Sequence, residues 1–246
     1  MRQLSRLGVI AALPQELGDI LAHLSDATIE RRAQRDYHCG RVGPQAIVAV
    51  TARVGKVAAA STATTLIERF GVDAIVFVGV AGGLGAGVAI GDIVIATALA
   101  QHDMNAAPLF APGELPLLGV TAIDCDATLT AALTHAAQRA VTDWRAQAPH
   151  PDFTDTQLHQ GLIVSGDQFI HAPAQAQAIT RTWPEALAAE MEGAAVAQVC
   201  FEHGVPVAVV RTISDRADNT AHTDFNRFLN EVAAPMSSGI LRHLLR

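Results

Sequence analysis

Several residue types are scarce in this 246-residue chain, and each shortage removes a class of function. Cysteine is limited to Cys39, Cys125 and Cys200. Three widely spaced thiols with no C-x-x-C pair exclude a disulfide framework, offer no zinc pattern, and fit a reducing cytoplasm. Charge is thin, at 17%. The 17 Lys and Arg are outnumbered by 24 Asp and Glu and are scattered rather than gathered into a stripe, which excludes a nucleic-acid surface. A net charge of −7 suits a small neutral or cationic ligand instead. Long apolar runs are missing as well: no segment supplies the roughly eighteen uninterrupted apolar residues that a membrane span needs. Arg2 and Arg6 precede a short apolar stretch, Leu7 to Leu13, but it ends in Pro14-Gln15-Glu16 without a small-residue cleavage site and reads as a first strand, not a leader.

The familiar ligand motifs are absent too. Gly82, Gly83, Gly85 and Gly87 do not match G-x-G-x-x-G, and a strand follows them; Gly55-Lys56 has Val50 where a phosphate loop needs glycine. Ser165-Gly166-Asp167 is no nucleophile elbow. His102, His159 and His171 lack ligand spacing and are read as structural or peripheral, so no metal is expected. No repeat or low-complexity tract appears.

What is present is apolar patterning. Half of the residues are hydrophobic, enough for one α/β domain over residues 1–246. Strands are expected at Leu7 to Ala12, Ala74 to Val78, Ile90 to Leu99, Gln160 to Val164 and Val205 to Val210. Tyr37 to Val42 and Ala46 to Thr51 flank Gly43-Pro44 as a hairpin. Helices are expected after Pro14, from Gly55-Lys56 to Phe70-Gly71, over Asp126 to Ala146, over Glu192 to His203, and over Phe225 to Leu245, where Pro235 implies a kink. Gly79 to Gly85 reads as a turn, Gln101 to Gly119 as a long loop, and the polar connection at Thr154 and Asp155 as too short to divide two domains.

The strongest signal is Glu190-Met191-Glu192-Gly193-Ala194-Ala195 together with Val209-Val210-Arg211-Thr212-Ile213-Ser214-Asp215. Arg211 and Asp215 should emerge at the carboxyl end of a buried strand, which is where open α/β sheets bind ligands. Glu16 sits at a comparable strand-to-helix corner. These segments, with Gly8 to Leu13, Val54 to Ala58, Gly79 to Leu84, Val164 to Ile170 and Ala217-Asp218, resemble the nucleoside phosphorylase/nucleosidase superfamily over nearly the whole chain. Within it they are most similar to the 5′-methylthioadenosine/S-adenosylhomocysteine nucleosidases.

That resemblance implies a three-layer α/β/α fold with a central mixed sheet, no metal or organic cofactor, and hydrolysis of the N-glycosidic bond of 5′-thio-substituted adenosines. It implies that Asp215 protonates purine N7 through a carboxyl whose pKa is held up by partial burial, and that Glu16 activates water with help from Arg211. This is a division of labour familiar from glycoside hydrolysis. Glu192 and the backbone at Met191 would hold the ribose hydroxyls, Ser214 would also bind substrate, Phe169 would stack on adenine, and the backbone at Ile170 would read the base edge. Leu13, Val54 and Phe225 would form the 5′ pocket with residues of a second subunit, implying a homodimer. Val80, where many relatives carry Ser or Thr, removes a hydroxyl suited to phosphate and disfavours phosphorolysis. Arg53 reads as a solvated arginine at a helix start. Another purine or futalosine-type nucleosidase, a phosphate-dependent phosphorylase, and a nucleoside-binding protein without turnover are the alternatives.

Overall fold

A computed structural model of the chain describes residues 5–17, 20–147, 155–216 and 228–245. Phe225, Ala217-Asp218 and Thr154 lie outside the described residues. Ten strands form a single mixed sheet whose spatial order is β10-β6-β8-β9-β5-β1-β4-β3-β2, with β7 (Ile123–Asp124) paired to β6. The strands are β1 (Arg6–Ala11), β2 (Ser25–Arg32), β3 (Arg35–Val42), β4 (Gln45–Thr51), β5 (Ala74–Gly83), β6 (Ile93–Gln101), β8 (Leu158–Ser165), β9 (Ala186–Glu190) and β10 (Val207–Asp215). Because β10 also pairs with β5, the strands β5, β10, β6, β8 and β9 close into a ring, from which β1, β4, β3 and β2 extend as an open wing.

Alternation along the central strands explains the layers. Leu7, Val9 and Ala11 of β1, with Ala74, Val76 and Val78 of β5, pack into one apolar cluster with helices α2 (Ala127–Ala146) and α5 (Ala234–Leu244). Ile10, Ile75 and Phe77 point the other way, into a cluster with α1 (Lys56–Phe70) and α4 (Gly193–His203). Both faces of these strands are therefore buried, so the continuous apolar runs have no polar positions to alternate with. The result is the expected α/β/α arrangement around a mixed sheet. Among the described residues no helix is long and apolar enough to cross a membrane.

Local chemistry sets the element ends. Asp126 caps α2 by accepting from Leu129 N at 2.8 Å. Gly71 closes α1 in the left-handed conformation, φ 59°. The hairpin of β3 and β4 forms around Gly43, also left-handed at φ 56°.

Two local expectations need correction, and some elements lie outside what the sequence predicts. The segment after β1 makes two short 3-10 turns, Pro14–Leu17 and Ile20–His23, instead of an α-helix. The Glu16 carboxylate folds back to accept from Leu13 N at 2.7 Å, a bond of the kind that caps the start of a helical turn. The glycines from Gly79 to Gly83 do not turn; they continue β5 in register with β10. Strands β2 and β9 and helix α3 (Pro173–Thr182) went unpredicted. The closing helix passes through a π-helical turn, Leu229–Ala233, just before Pro235. The wider turn accommodates a residue that lacks an N–H and crowds the carbonyl four positions back.

Candidate active site

The carboxyl ends of β1, β5, β8, β9 and β10 surround a cavity of about 310 Å³. Glu16, Glu190, Glu192 and Asp215 all line it, with Leu13, Val54, Val80, Phe169, Ile170, Met191 and Ser214. The structure thus brings together every predicted site residue except two. Phe225 is outside the described residues, and Arg211 lies behind the wall.

Glu16 is 1% exposed. Its Oε2 accepts from Leu13 N at 2.7 Å and its Oε1 from Val80 N at 3.2 Å, so the carboxylate is gripped by two backbone amides. Burial pushes its pKa up from the ordinary range, against the pull of the Leu13 amide and of the Arg211 charge. Gly79 makes this placement possible: a Cβ there would stand 3.1 Å from Glu16 Oε1 and 3.4 Å from an Arg211 nitrogen. Val80 therefore contributes a backbone donor to the acid as well as a wall to the cavity.

Glu192 stands at the start of α4 and accepts from Gly55 N at 2.8 Å. Burial, and then the neighbouring Glu190 carboxylate, push its pKa up to about 8. This shift favours the protonated carboxyl, which can donate as well as accept.

Glu190, quoted in the motif but given no role from the sequence, is the hub beneath these groups. Its Oε2 receives Arg211 Nη2 at 2.6 Å, with both side chains almost fully buried. Its oxygens also accept from Glu192 N at 3.2 Å and Gly193 N at 2.8 Å, and Ser165 Oγ donates to it. Gly193 suits this packing, because a Cβ there would come within 2.6 Å of Leu99 Cδ2 and 3.3 Å of both Glu190 oxygens, and those side chains would have to shift. Arg211 completes its bonding with the carbonyls of Phe77 and Val210 and lies 4.1 Å over the Phe77 ring. The sequence predicts that it aids Glu16; the geometry makes it the ion-pair partner of Glu190, from where its charge still acts on Glu16. The signal in the sequence was the acid doublet two residues apart, but nothing in that spacing says which acid turns inward.

Asp215 sits where the register of β10 against β5 slips between Ile213 and Asp215. The slip turns the chain so that successive residues, Ser214 and Asp215, both reach the cavity. Ser214 Oγ donates to Asp215 Oδ2 at 2.8 Å.

On the opposite wall, Phe169 is 41% exposed and Ile170 is buried, both in the segment after β8. His171, read as peripheral, stacks beside Phe169 with ring centroids 6.4 Å apart. This wall is tied to its neighbours by Lys56, whose Nζ lies 2.6 Å from Asp103 Oδ1 while its backbone N donates to Asp167 Oδ1 at 2.9 Å. Asp167 N donates in turn to Asp103 Oδ2. One network therefore fixes the loops after β4, β6 and β8. Leu13 and Val80 pack against Phe228, Leu229, Val232 and Ala233.

Fold and site together define an α/β/α protein whose carboxylates converge, beside an aromatic wall, on a cleft at the strand carboxyl ends. The chain belongs to the phosphorylase superfamily, whose sequence profile matches residues 6–246. It is 34% identical over 241 residues to the 5′-methylthioadenosine/S-adenosylhomocysteine nucleosidase of Shewanella putrefaciens, covering 98% of this chain and 97% of that one. The structure is similar to that of the Neisseria meningitidis nucleosidase of the same name in complex with methylthio-immucillin-A, with a TM-score of 0.87, 31% identity and 98% of each chain covered. It is also similar to the futalosine hydrolase of Helicobacter pylori strain 26695, with a TM-score of 0.84, 30% identity and 99% and 98% coverage.

Proposed function

We propose that this protein is an N-glycosyl hydrolase that releases adenine from 5′-methylthioadenosine and S-adenosylhomocysteine. The observation that carries the reading is the convergence of Glu16, Glu192 and Asp215 on one cavity that also holds Phe169 and Ile170. Breaking this bond leaves positive charge on the ribose and negative charge on the departing purine, so each end needs its own carboxyl group.

Asp215, steadied by Ser214, gives a proton to N7 of the leaving base. Glu16, with its pKa raised, takes a proton from the attacking water, a task for which a carboxylate of ordinary acidity is too weak a base. Glu192 and the Met191 backbone hold the ribose hydroxyls, and a protonated Glu192 donates one of those bonds. Phe169 stacks on adenine, Ile170 reads its edge, and Leu13 and Val54 meet the 5′ substituent, with Phe225 assigned to the same pocket. Arg211 is a positioning residue acting through Glu190. Val80 presents no hydroxyl to phosphate, which supports water as the acceptor.

The whole chain serves as one nucleoside phosphorylase-like domain, in a homodimer and in the cytoplasm. Support for the dimer comes from large apolar side chains left in the open at the start of α1 and in the 101–119 loop: Val57 is 82% exposed, Leu109 83% and Leu117 90%. Three free thiols fit a reducing compartment.

Incubating the purified protein with methylthioadenosine, adenosylhomocysteine, adenosine, inosine and a futalosine analogue, with and without phosphate, tests the reading through release of free base. Adenine from the two thio-substituted substrates, independent of phosphate, is expected. A sugar 1-phosphate would make the protein a phosphorylase, and preference for the futalosine analogue would make it a futalosine-type hydrolase.

A further inference from the structure

The loop that joins β5 to β6 ends on Asp92, a carboxylate that is 3% exposed and does not line the nucleoside cavity. No step of the proposed reaction uses it. A charge buried this deeply needs donors around it, and Asp92 has three. Its Oδ1 accepts from Gln157 N at 2.8 Å, its Oδ2 accepts from Ala89 N at 2.9 Å, and the same Oδ2 lies 2.8 Å from His159 Nε2. An ionised carboxylate can only accept, so Nε2 carries the hydrogen. The imidazole is the outer member of the set, with 24% of its side chain exposed.

The backbone of the same loop is bonded to the strand that carries Asp215. Ile213 N donates to Asp92 O at 2.8 Å, and Gly91 N donates to Ile213 O at 2.8 Å. These two bonds prolong by one residue the pairing of β6 with β10, which runs through Val210, Arg211 and Thr212. They therefore hold the residue from which the register of β10 against β5 slips to Asp215. Gly91 makes its approach at φ 89°, a backbone conformation that suits glycine. The Ile213 side chain packs where Gly83 leaves room, since a Cβ on Gly83 would stand 3.1 Å from Ile213 Cγ2 and 3.3 Å from Val88. Immediately beyond this clamp, Ser214 and Asp215 enter the cavity.

We propose that Asp92, with His159 completing its set of donors, is a positioning residue for Asp215. The inference rests on the nucleosidase reading, in which Asp215 meets N7 of the purine, and adds to it a residue outside the cavity. The carboxylate fixes the loop by gripping Ala89 and Gln157, and the loop backbone fixes Ile213. Without His159 the buried charge is short of one donor, so the loop resettles to bring that oxygen to water. A small shift at Ile213 reaches Asp215 with only Ser214 between them. A proton donor serves only within hydrogen-bond reach of its acceptor, so the acid is the group that suffers. The aromatic wall is spared, because Gln157 and His159 stand at the start of β8 whereas Phe169 follows its end.

The test uses two analogues of methylthioadenosine that resist cleavage: a C-nucleoside with a hydrogen on N7, and a 7-deaza compound with carbon in that place. Only the first can bond to Asp215. The unaltered protein should prefer it by about tenfold or more, the difference made by one hydrogen bond to a charged group. His159→Leu removes the third donor at a partly exposed position, whereas His159→Gln keeps an N–H near the place of Nε2. For His159→Leu the preference should fall about fivefold, with the 7-deaza affinity within about twofold of the parent. Its kcat on methylthioadenosine should drop about tenfold at unchanged KM, and His159→Gln should restore most of both losses. Asp92→Asn should act in the same direction and further; if it does not fold, His159→Leu carries the test. An undiminished preference, or an equal weakening of both analogues, would overturn the positioning role and leave the nucleosidase reading intact. An unaltered protein with no preference would remove Asp215 from N7, and the positioning role with it; release of adenine from methylthioadenosine then tells whether the nucleosidase reading survives.

Discussion

Glu190 and Glu192 stand two residues apart in one motif and end up in opposite situations. Glu190 is saturated: an arginine, a serine hydroxyl and the amides opening α4 occupy its oxygens. Glu192, beside the same cavity, is held by the Gly55 amide and left with raised basicity. The first is a floor that fixes geometry and the second a wall that meets the ligand. Whether a buried acid supports or acts depends on how many donors already surround it, and Glu16 belongs with Glu192 in this respect.

The sharpest way to separate wall from floor is at Asp215. Asp215→Asn removes the proton donor and keeps the shape, so adenine release should fall by about 10²- to 10⁴-fold while a methylthioadenosine analogue still binds. Turnover near the unaltered rate would remove Asp215 from the role of acid.

Arg211→Met attacks the floor. It strands the Glu190 carboxylate in a dry interior, with an expected stability loss of about 3–5 kcal/mol in chemical denaturation. Adding Glu190→Gln to the same chain should restore part of that loss. If the double variant is no more stable than the single one, the pair is not the floor described here.

Glu192 separates the two regions by pH. Its folded pKa of about 8 lies above the ordinary 4.5, so the fold favours the protonated form. Stability from this group is fully present below pH 4.5 and is lost as pH rises toward 8, by an amount on the order of a few kcal/mol. Glu192→Gln should cancel that slope, raising Tm relative to the parent more at pH 8 than at pH 5. A parent Tm that climbs steadily across this window would contradict the sign. Activity adds a second pH signature. Because the Glu16 pKa is raised, the acid limb of kcat/KM should fall above the ordinary carboxylate range.

The smallest change concerns one methyl group. Gly79→Ala places a Cβ 3.1 Å from Glu16 Oε1. The carboxylate must shift by a few tenths of an ångström, and kcat should drop roughly tenfold with little change in Tm. A kcat equal to that of the parent would mean that Glu16 has room to spare.

The same contrast shows what could be read from the sequence. Strand β10 and the exit of Asp215 at its carboxyl end were legible, because a β-branched run covered on both faces has one interpretation. Glu16 was placed at the right corner, although two short 3-10 turns follow it in place of the expected helix. The glycines from 79 to 83 misled, since glycine usually marks a turn. Here its lack of a side chain lets a strand pass close to Glu16 at one end and to Ile213 and Val88 at the other. Strand β2 was hidden because it is an edge, exposed along nearly its whole length and carrying Glu30, Arg31 and Arg32, charges that discourage pairing with another chain. Strand β9 was hidden by its alanines. The role of Glu190 was not legible at all, because it depends on Arg211 and Ser165, brought to it by two other strands.

The ring of pairings among β5, β10, β6, β8 and β9 has no free margin, whereas the wing ends in the bare β2. Local opening starts where hydrogen bonds face solvent, so fraying should run inward from β2 and stop at the hoop that carries Glu190, Arg211 and Asp215. The molecule can thus breathe along its open margin while the hoop that holds the buried carboxylates stays closed.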